Sequence, residues 1–387
     1  MSVPILSTEQ NKIVDSILNW FKDSSKQYIT LGGYAGTGKT TVLGSITTLL
    51  NKDKKKLNIA YCSYTGKAAR VLERKLRDTN SVSYSDYIGT IHRLIYKAIV
   101  DDRDNIIGWE IIPKSDFEYS LIVVDEASML TEDIWNDLLS FDVPIIAVGD
   151  HGQLPPIEGT FNLMSNPQLK LETIYRQEAD NPIIKISEMV RKGESIPYIQ
   201  FGKNIKKLDK RDENTADQLL DLFNSFDDST MVLCGYNTTR NRLNKQIRGL
   251  QFDCLTPCNG DRVICLKNNR NMNIYNGMTG TILSIFKEKS KGSSYYQTEI
   301  SLDFEEEPFI GKISMEQFNS PTFLNQNNYD INYFDYGYAL TVHKAQGSQA
   351  NRVILFEERF KSMDEQTYAR WLYTAVTRAE KELYIIG

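Results

Sequence analysis

The stretch "GYAGTGKTT", whose first eight residues are Gly33 to Thr40, constrains this chain more than any other. It matches G-x-x-x-x-G-K-T and lies between an apolar run, "QYITLGG", and a segment of helical spacing, "TTVLGSITTLL". A strand, a glycine loop and a helix in that order form a phosphate cradle. Gly33, Gly36 and Gly38 let backbone N–H groups wrap a phosphate chain, and the helix start adds its positive dipole end. Lys39 then reaches the β- and γ-phosphates and Thr40 ligates Mg²⁺, with Thr37 and Thr41 beside them. The fold that follows is α/β.

The rest of the first half fits that fold. "YSLIVVDE" and "VPIIAVGD" are continuous apolar runs ending in acids, as expected for parallel strands buried on both faces. Asp125 and Glu126 stand at the tip of the first run. Asp125 suits Mg²⁺, and Glu126 suits positioning or deprotonating an attacking water. "GDHGQLPP" follows the second run and offers Gln153 as an uncharged γ-phosphate contact. Two arginines, Arg176 in "IYRQ" and Arg378 in "LYTAVTRAE", are candidates to stabilise charge developing in phosphoryl transfer. A second alternating set begins near Asn181 and ends in "ELYIIG".

Two segments interrupt the alternation. Residues 94–114 read as two strands around "DDRDN", a β-hairpin signal. Residues 261–330 carry short β-rich runs and glycine turns, which point to a small antiparallel barrel. The expected division is 1–180 for the first α/β domain, with 94–114 inserted. Residues 181–260 and 331–387 form the second, with 261–330 inserted.

Composition narrows the class. The 387 residues are 41% hydrophobic and 25% charged, which fits a globular protein rather than a disordered one. There is no signal peptide pattern and no apolar run of membrane-spanning length, so an intracellular location is expected. A formal net charge of -5 excludes a general positive field, so any nucleic-acid grip must be a local groove. Of five cysteines, only Cys254 and Cys258 are close together. No histidine lies near to complete a zinc site, and reduced thiols are expected.

The ordered set "GYAGTGKTT", "YTGKAARVL", "TIHRLI", "DEASML", "GDHGQLPP", "IYRQ", "YALTVHKAQGSQ" and "LYTAVTRAE" resembles the superfamily 1B helicases of the RecD and Dda branch. The likeness runs from about Ser7 to Gly387. It implies two RecA-like P-loop domains with parallel sheets, a β-hairpin pin inserted in the first and an SH3-like β-barrel inserted in the second. It also implies an ATP-dependent motor moving 5′ to 3′ on single-stranded DNA and opening duplex at junctions. Such a motor would act as a monomer, alone or with replication or recombination proteins, in the cytoplasm, at a nucleoid or inside a host cell.

By the same resemblance Gln10 reads adenine, and Gly347 and Gln349 approach the nucleotide. Gln349 stands where many relatives have a glutamate. Thr65, Lys67, His92, Thr341 and His343 contact the strand. Trp109 either stacks on a base or packs the pin against the barrel. "YALTVHKAQGSQ" is expected to be a strand end and helix start that feels both ligands. Two alternatives stay open: an ATP-switched loading or remodelling module with little unwinding, and an RNA motor of the same superfamily.

Overall fold

A computed structural model describes residues 6–387 except 24, 51–56, 79–80, 101–105, 157–160, 175–180, 273, 291–292, 304, 306, 319, 321–322 and 325–330. The chain divides into two compact units, Met1–Ile99 with Trp109–Lys192, and Val100–Gly108 with Gly193–Gly387.

The first unit is a six-stranded parallel sheet in the order β3-β2-β6-β7-β1-β8. The strands are β1 (Tyr28–Gly33), β2 (Ile59–Ser63), β3 (Tyr87–Thr90), β6 (Leu121–Asp125), β7 (Ile145–Gly149) and β8 (Leu169–Leu171). Helices α1 (Thr8–Asp23), α2 (Lys39–Leu50), α3 (Gly66–Asp78) and α5 (Glu132–Leu139) belong to this unit.

The apolar runs read as doubly buried strands, and their side chains divide between two cores. Leu121 and Val123 join Leu31, Tyr61, Val148 and the α2 residues Val42, Leu43 and Ile46. Ile122 and Val124 point the other way, to Ala60, Cys62, Ala147 and the α5 residues Ile134, Trp135 and Leu138. Period-two alternation inside a continuous apolar run therefore fills both layers. Each such buried aliphatic contributes about 1.5–3 kcal/mol.

The hairpin is present as β4 (Tyr96–Val100) and β5 (Ile106–Ile111), a two-stranded sheet. Leu94 and Ile95 fall instead in a short helix, α4 (Ile91–Ile95), because the Thr90 side chain accepts from Arg93 N and starts a turn. The turn residues 101–105 lie outside the described residues. The first unit also runs past the expected boundary at 180. Helix α6 (Pro182–Arg191), with Pro182 at its start and an Asn181 cap, belongs to it. The guanidinium of Arg191 lies 3.8 Å from the Tyr34 ring centroid.

The second unit holds another six-stranded sheet, ordered β17-β11-β18-β19-β10-β9, parallel except for β9. Its members are β9 (Gln200–Gly202), β10 (Ile205–Leu208), β11 (Thr230–Cys234), β17 (Ala339–Thr341), β18 (Ala350–Phe356) and β19 (Ala379–Ile386). Helices α7 (Glu213–Asn224), α8 (Asn237–Gln251) and α9 (Glu365–Val376) accompany them.

Between β11 and β17 the chain builds a five-stranded antiparallel sheet. It comprises β12 (Arg262–Cys265), β13 (Thr279–Ser290), β14 (Ser293–Leu302), β15 (Phe309–Ser314) and β16 (Phe334–Tyr336). The last strand lies beyond the expected limit at 330, because Phe334–Tyr336 pairs with β12 across Cys265, Ile264 and Val263. Asn332 ties the sheet's two edges together: its N–H donates to Lys312 O at 2.9 Å, and its carbonyl accepts from Ser314 N at 2.9 Å.

Candidate nucleotide and nucleic-acid site

Three adjacent parallel strands, β6, β7 and β1, carry the expected nucleotide groups at their carboxyl ends. The glycine loop follows β1, the loop with Gln153 follows β7, and Asp125–Glu126 ends β6. The carboxyl end of a parallel sheet is where α/β folds bind ligands, because successive loops converge there.

In the glycine loop, Gly36 and Gly38 take φ of 77° and 84°. The positive φ at Gly38 calls for glycine, and a Cβ there, 2.4 Å from Gln10 Nε2, would also push the Gln10 amide off the loop. Lys39 Nζ donates to Gly33 O at 2.7 Å and Tyr34 O at 3.0 Å, and Thr37 Oγ1 donates to Tyr34 O at 2.8 Å. Thr40 and Thr41 open α2 behind the loop.

Gln10 is fully buried, and both ends of its amide are engaged. Its Oε1 accepts from Ser7 N at 3.0 Å while Ser7 Oγ accepts from Gln10 N at 3.2 Å, a reciprocal cap on α1. Its Nε2 donates to Thr37 O at 3.1 Å, which braces the glycine loop.

Glu126 adopts φ 54° and ψ 39°, a left-handed conformation a non-glycine residue rarely takes outside constrained sites. Asp125 feels opposing influences. Burial pushes its pKa up, while the Glu126 backbone N–H and the Lys75 and Lys39 charges pull it down; burial wins.

The loop after β7 is set by Asp150, which is buried and accepts from Gly152 N at 2.9 Å and Gln153 Nε2 at 3.4 Å. Gln153 Oε1 is buried and has no hydrogen-bond partner among the described residues, so an acceptor is left for a ligand. His151, whose pKa burial lowers, places its ring 4.1 Å from that of Tyr34. Arg191 lies in no quoted motif, and Tyr34 and Asp150, though inside two of them, were given no role by the sequence. Their roles emerge only from packing.

On the other flank of this sheet, β2 and β3 pair Ser63 with Thr90. Thr65 follows the first strand and caps α3, its Oγ1 accepting from Ala68 N at 3.2 Å. His92 follows the second, with its ring 5.8 Å from Tyr64 and 5.9 Å from Tyr96. The expected strand contacts Thr65 and His92 are thus brought to one edge, with Tyr64 between them. Lys67 lies in α3, but its side chain is outside the described set, as is all of Arg176. Trp109 is half-buried on β5, its indole Nε1 without a partner among the described residues.

In the second unit, "TVHKAQGSQ" departs from the expected helix start. A single 3-10 turn, Val342–Ala345, is followed by an extended Gln346 and by Gly347 at φ 71°, which turns the chain into β18. Gly347 at positive φ ends the turn before a helix can propagate. Thr341 is buried at the end of β17, beside Cys234 of β11, and His343 is half-buried with its pKa lowered by burial. Gln349 is exposed. Arg378 is 2% exposed, and its guanidinium donates to Thr374 O at 2.9 Å, Ser348 O at 3.2 Å and Thr377 Oγ1 at 3.2 Å. The end of α9 is thereby locked to the Gly347–Gln349 turn.

Residues 5–213 match the family model described as an AAA domain, and residues 336–386 match the UvrD-like helicase C-terminal domain. The ATP-dependent RecD2 DNA helicase of Deinococcus radiodurans is 27% identical over 99% of this chain, which spans 49% of that protein. The chain thus covers about half the length of that relative. The ATP-dependent DNA helicase Pif1 of Campylobacter jejuni is 24% identical over 91% of this chain and 86% of its own. The Bacteroides Pif1 helicase solved with ADP-AlF3 and single-stranded DNA shares the fold. It has a TM-score of 0.54 and 18% identity, and the match covers 99% of this chain and 92% of that one. With the match over residues 5–213 the chain belongs to the AAA-domain family, and it is similar to helicases of the RecD2 and Pif1 type.

Proposed function

We propose that this chain is an ATP-driven motor that moves 5′ to 3′ along single-stranded DNA and separates duplex at junctions. The observation that carries the reading is the convergence of Lys39, Gln153 and Asp125–Glu126 on three neighbouring strand ends. The relatives named above support the choice of DNA and of helicase activity.

Lys39 would leave its loop carbonyls to clamp the β- and γ-phosphates of ATP, with Gly33, Gly36, Thr37, Gly38 and Thr41 lining the cradle. Mg²⁺, held by Thr40 and Asp125, would neutralise phosphate charge as the terminal bond breaks. Glu126 takes the proton of the attacking water. The unpartnered Gln153 Oε1 accepts from that water and so senses it. Arg176 and Arg378 spread positive charge over the transferring phosphoryl group.

Gln10, besides bracing the loop, would read adenine, and Gly347 and Gln349 would contact the ribose side. Thr65, Lys67, His92, Thr341 and His343 hold the strand. The two parallel sheets are RecA-like motor domains, the β4–β5 hairpin is the pin, and the five-stranded sheet is an SH3-like barrel. Trp109 stacks on a base or packs the pin against that barrel.

The test is steady-state ATP hydrolysis with and without single-stranded DNA, followed by unwinding of 5′-tailed against 3′-tailed duplexes. Stimulation by DNA and preference for the 5′ tail are expected. Absence of stimulation sinks the motor reading. Stronger stimulation by RNA of the same sequence reassigns the track, because a single-strand groove can read the 2′-hydroxyl. Deleting the hairpin residues 99–107 is expected to spare DNA-stimulated hydrolysis while impairing strand separation.

A further inference from the structure

We propose that Cys254 and Cys258 are a reversible redox site that closes to a disulfide on exposure to a hydroperoxide. Both thiols lie on the loop that leads from α8 into β12, and both are half-buried, so a small oxidant can reach them. Leu255 between them is almost fully exposed. Their sulfurs stand 2.7 Å apart, already in contact.

The loop is wound around a buried ion pair. Arg248 of α8 bonds Asp261 through Nε at 2.8 Å and Nη2 at 3.0 Å, and also reaches Cys254 O and Thr256 O at 2.5 and 2.7 Å. Asp261 in turn accepts from Cys258 N at 2.8 Å. The two cysteines are therefore held facing one another rather than brought together by chance motion.

The same arginine separates a redox pair from a metal site. Its Nη2 lies 3.1 Å from Cys254 Sγ and 3.6 Å from Cys258 Sγ. A guanidinium on both sulfurs occupies and repels the position a cation would need. Among the described residues no group of three His, Cys, Asp or Glu side chains is arranged to hold a metal. The sulfur nearer the guanidinium, Cys254, is the attacking one. Cys258, whose pKa is pushed up to about 12 chiefly by burial and by its bond with Cys254, is the resolving thiol.

The steps balance. Cys254–SH and ROOH give Cys254–SOH and ROH, the sulfur losing two electrons to the peroxide oxygen. Cys258–SH then attacks that sulfur, forming the S–S bond and releasing water. The ring closed is short, so the entropic effect on global stability is small and the readout is chemical. Its setting gives it reach, because Arg248 also lies 4.8 Å from the Tyr336 ring of β16 and so fastens this loop to the five-stranded sheet.

The full chain is treated with hydrogen peroxide, denatured and alkylated. Alkylatable thiols are expected to fall from five to three, with a mass loss of about 2 Da in the chain before alkylation and recovery by dithiothreitol. Peptide mapping is expected to find the bond between Cys254 and Cys258. Cys258→Ser is expected to stop at a sulfenic acid trapped by dimedone, and Cys254→Ser to resist oxidation. Unchanged thiols under conditions that oxidise free glutathione overturn the proposal, as does a bridge to Cys62, Cys234 or Cys265. Retention of stoichiometric zinc by the reduced chain after gel filtration also overturns it.

Discussion

The two parallel sheets each send a strand into a loop and then a helix, β1 into α2 and β11 into α8, yet the two loops satisfy their polar groups differently. After β1, two glycines at positive φ curl the backbone, and the nearest charge is the Lys39 ammonium, folded onto the loop's own carbonyls. After β11, the backbone N–H groups of Gly235 and Tyr236 are already taken. Both donate to Glu358 Oε2, at 2.7 and 3.0 Å, while Thr239 donates to Oε1. The second loop carries its own anion, and the first offers a cation. One side chain of opposite sign decides whether the same topology is receptive or self-satisfied.

The largest expected effect is on the receptive side. Lys39→Ala should lower ATP hydrolysis by about 10²–10³-fold or more, because the phosphate clamp is lost where charge develops. Steady-state turnover measures it, and retained turnover would break the assignment of this loop. Gly38→Ala should come next. Its φ of 84° and the 2.4 Å approach to Gln10 Nε2 force the loop or the helix cap to shift, so nucleotide affinity should drop sharply. Fluorescent nucleotide titration checks this.

On the self-satisfied side, Glu358→Ala leaves two backbone donors and the Thr239 hydroxyl without their acceptor. It should destabilise the second unit by about 1–3 kcal/mol with little change in nucleotide binding. Urea unfolding provides the number, and Glu358→Gln should lose less because it keeps an acceptor oxygen. An unchanged midpoint for the alanine variant would show that Glu358 does not hold the loop.

The smallest effect is a pH slope. Burial, with Arg240 nearby, lowers the Lys344 pKa from 10.5 to about 8. Between those values the unfolded chain binds the extra proton, so this lysine makes stability rise with pH across that window. Lys344→Met should flatten the rise in thermal denaturation followed from neutral to alkaline pH. An identical slope in the variant would remove Lys344 as its source.

Much of the candidate site was legible because its signals are local. A glycine loop needs glycines at fixed offsets, and an apolar run ending in Asp125 and Glu126 reads as a buried strand with an acidic tip. The paired strands β4 and β5 on either side of "DDRDN" were legible for the same reason. What escaped were contacts between distant segments. Gln10 bonds a loop residue 27 positions away, and Tyr34 meets both His151 and Arg191. The five-stranded sheet is completed by Phe334–Tyr336, beyond where its composition seemed to end.

The sequence by itself determined the α/β class, the phosphate loop and the order of motifs, since each depends on spacing within a few residues. Only the tertiary structure decided that β7 lies between β1 and β6, so that Gln153, Lys39 and Asp125–Glu126 converge. It also decided that Glu358 closes one loop and Arg378 another, and that Arg248 holds two cysteines face to face. Strand order and side-chain reach join residues far apart in the chain. Such pairings depend on which surfaces bury together and leave no periodic trace in the sequence.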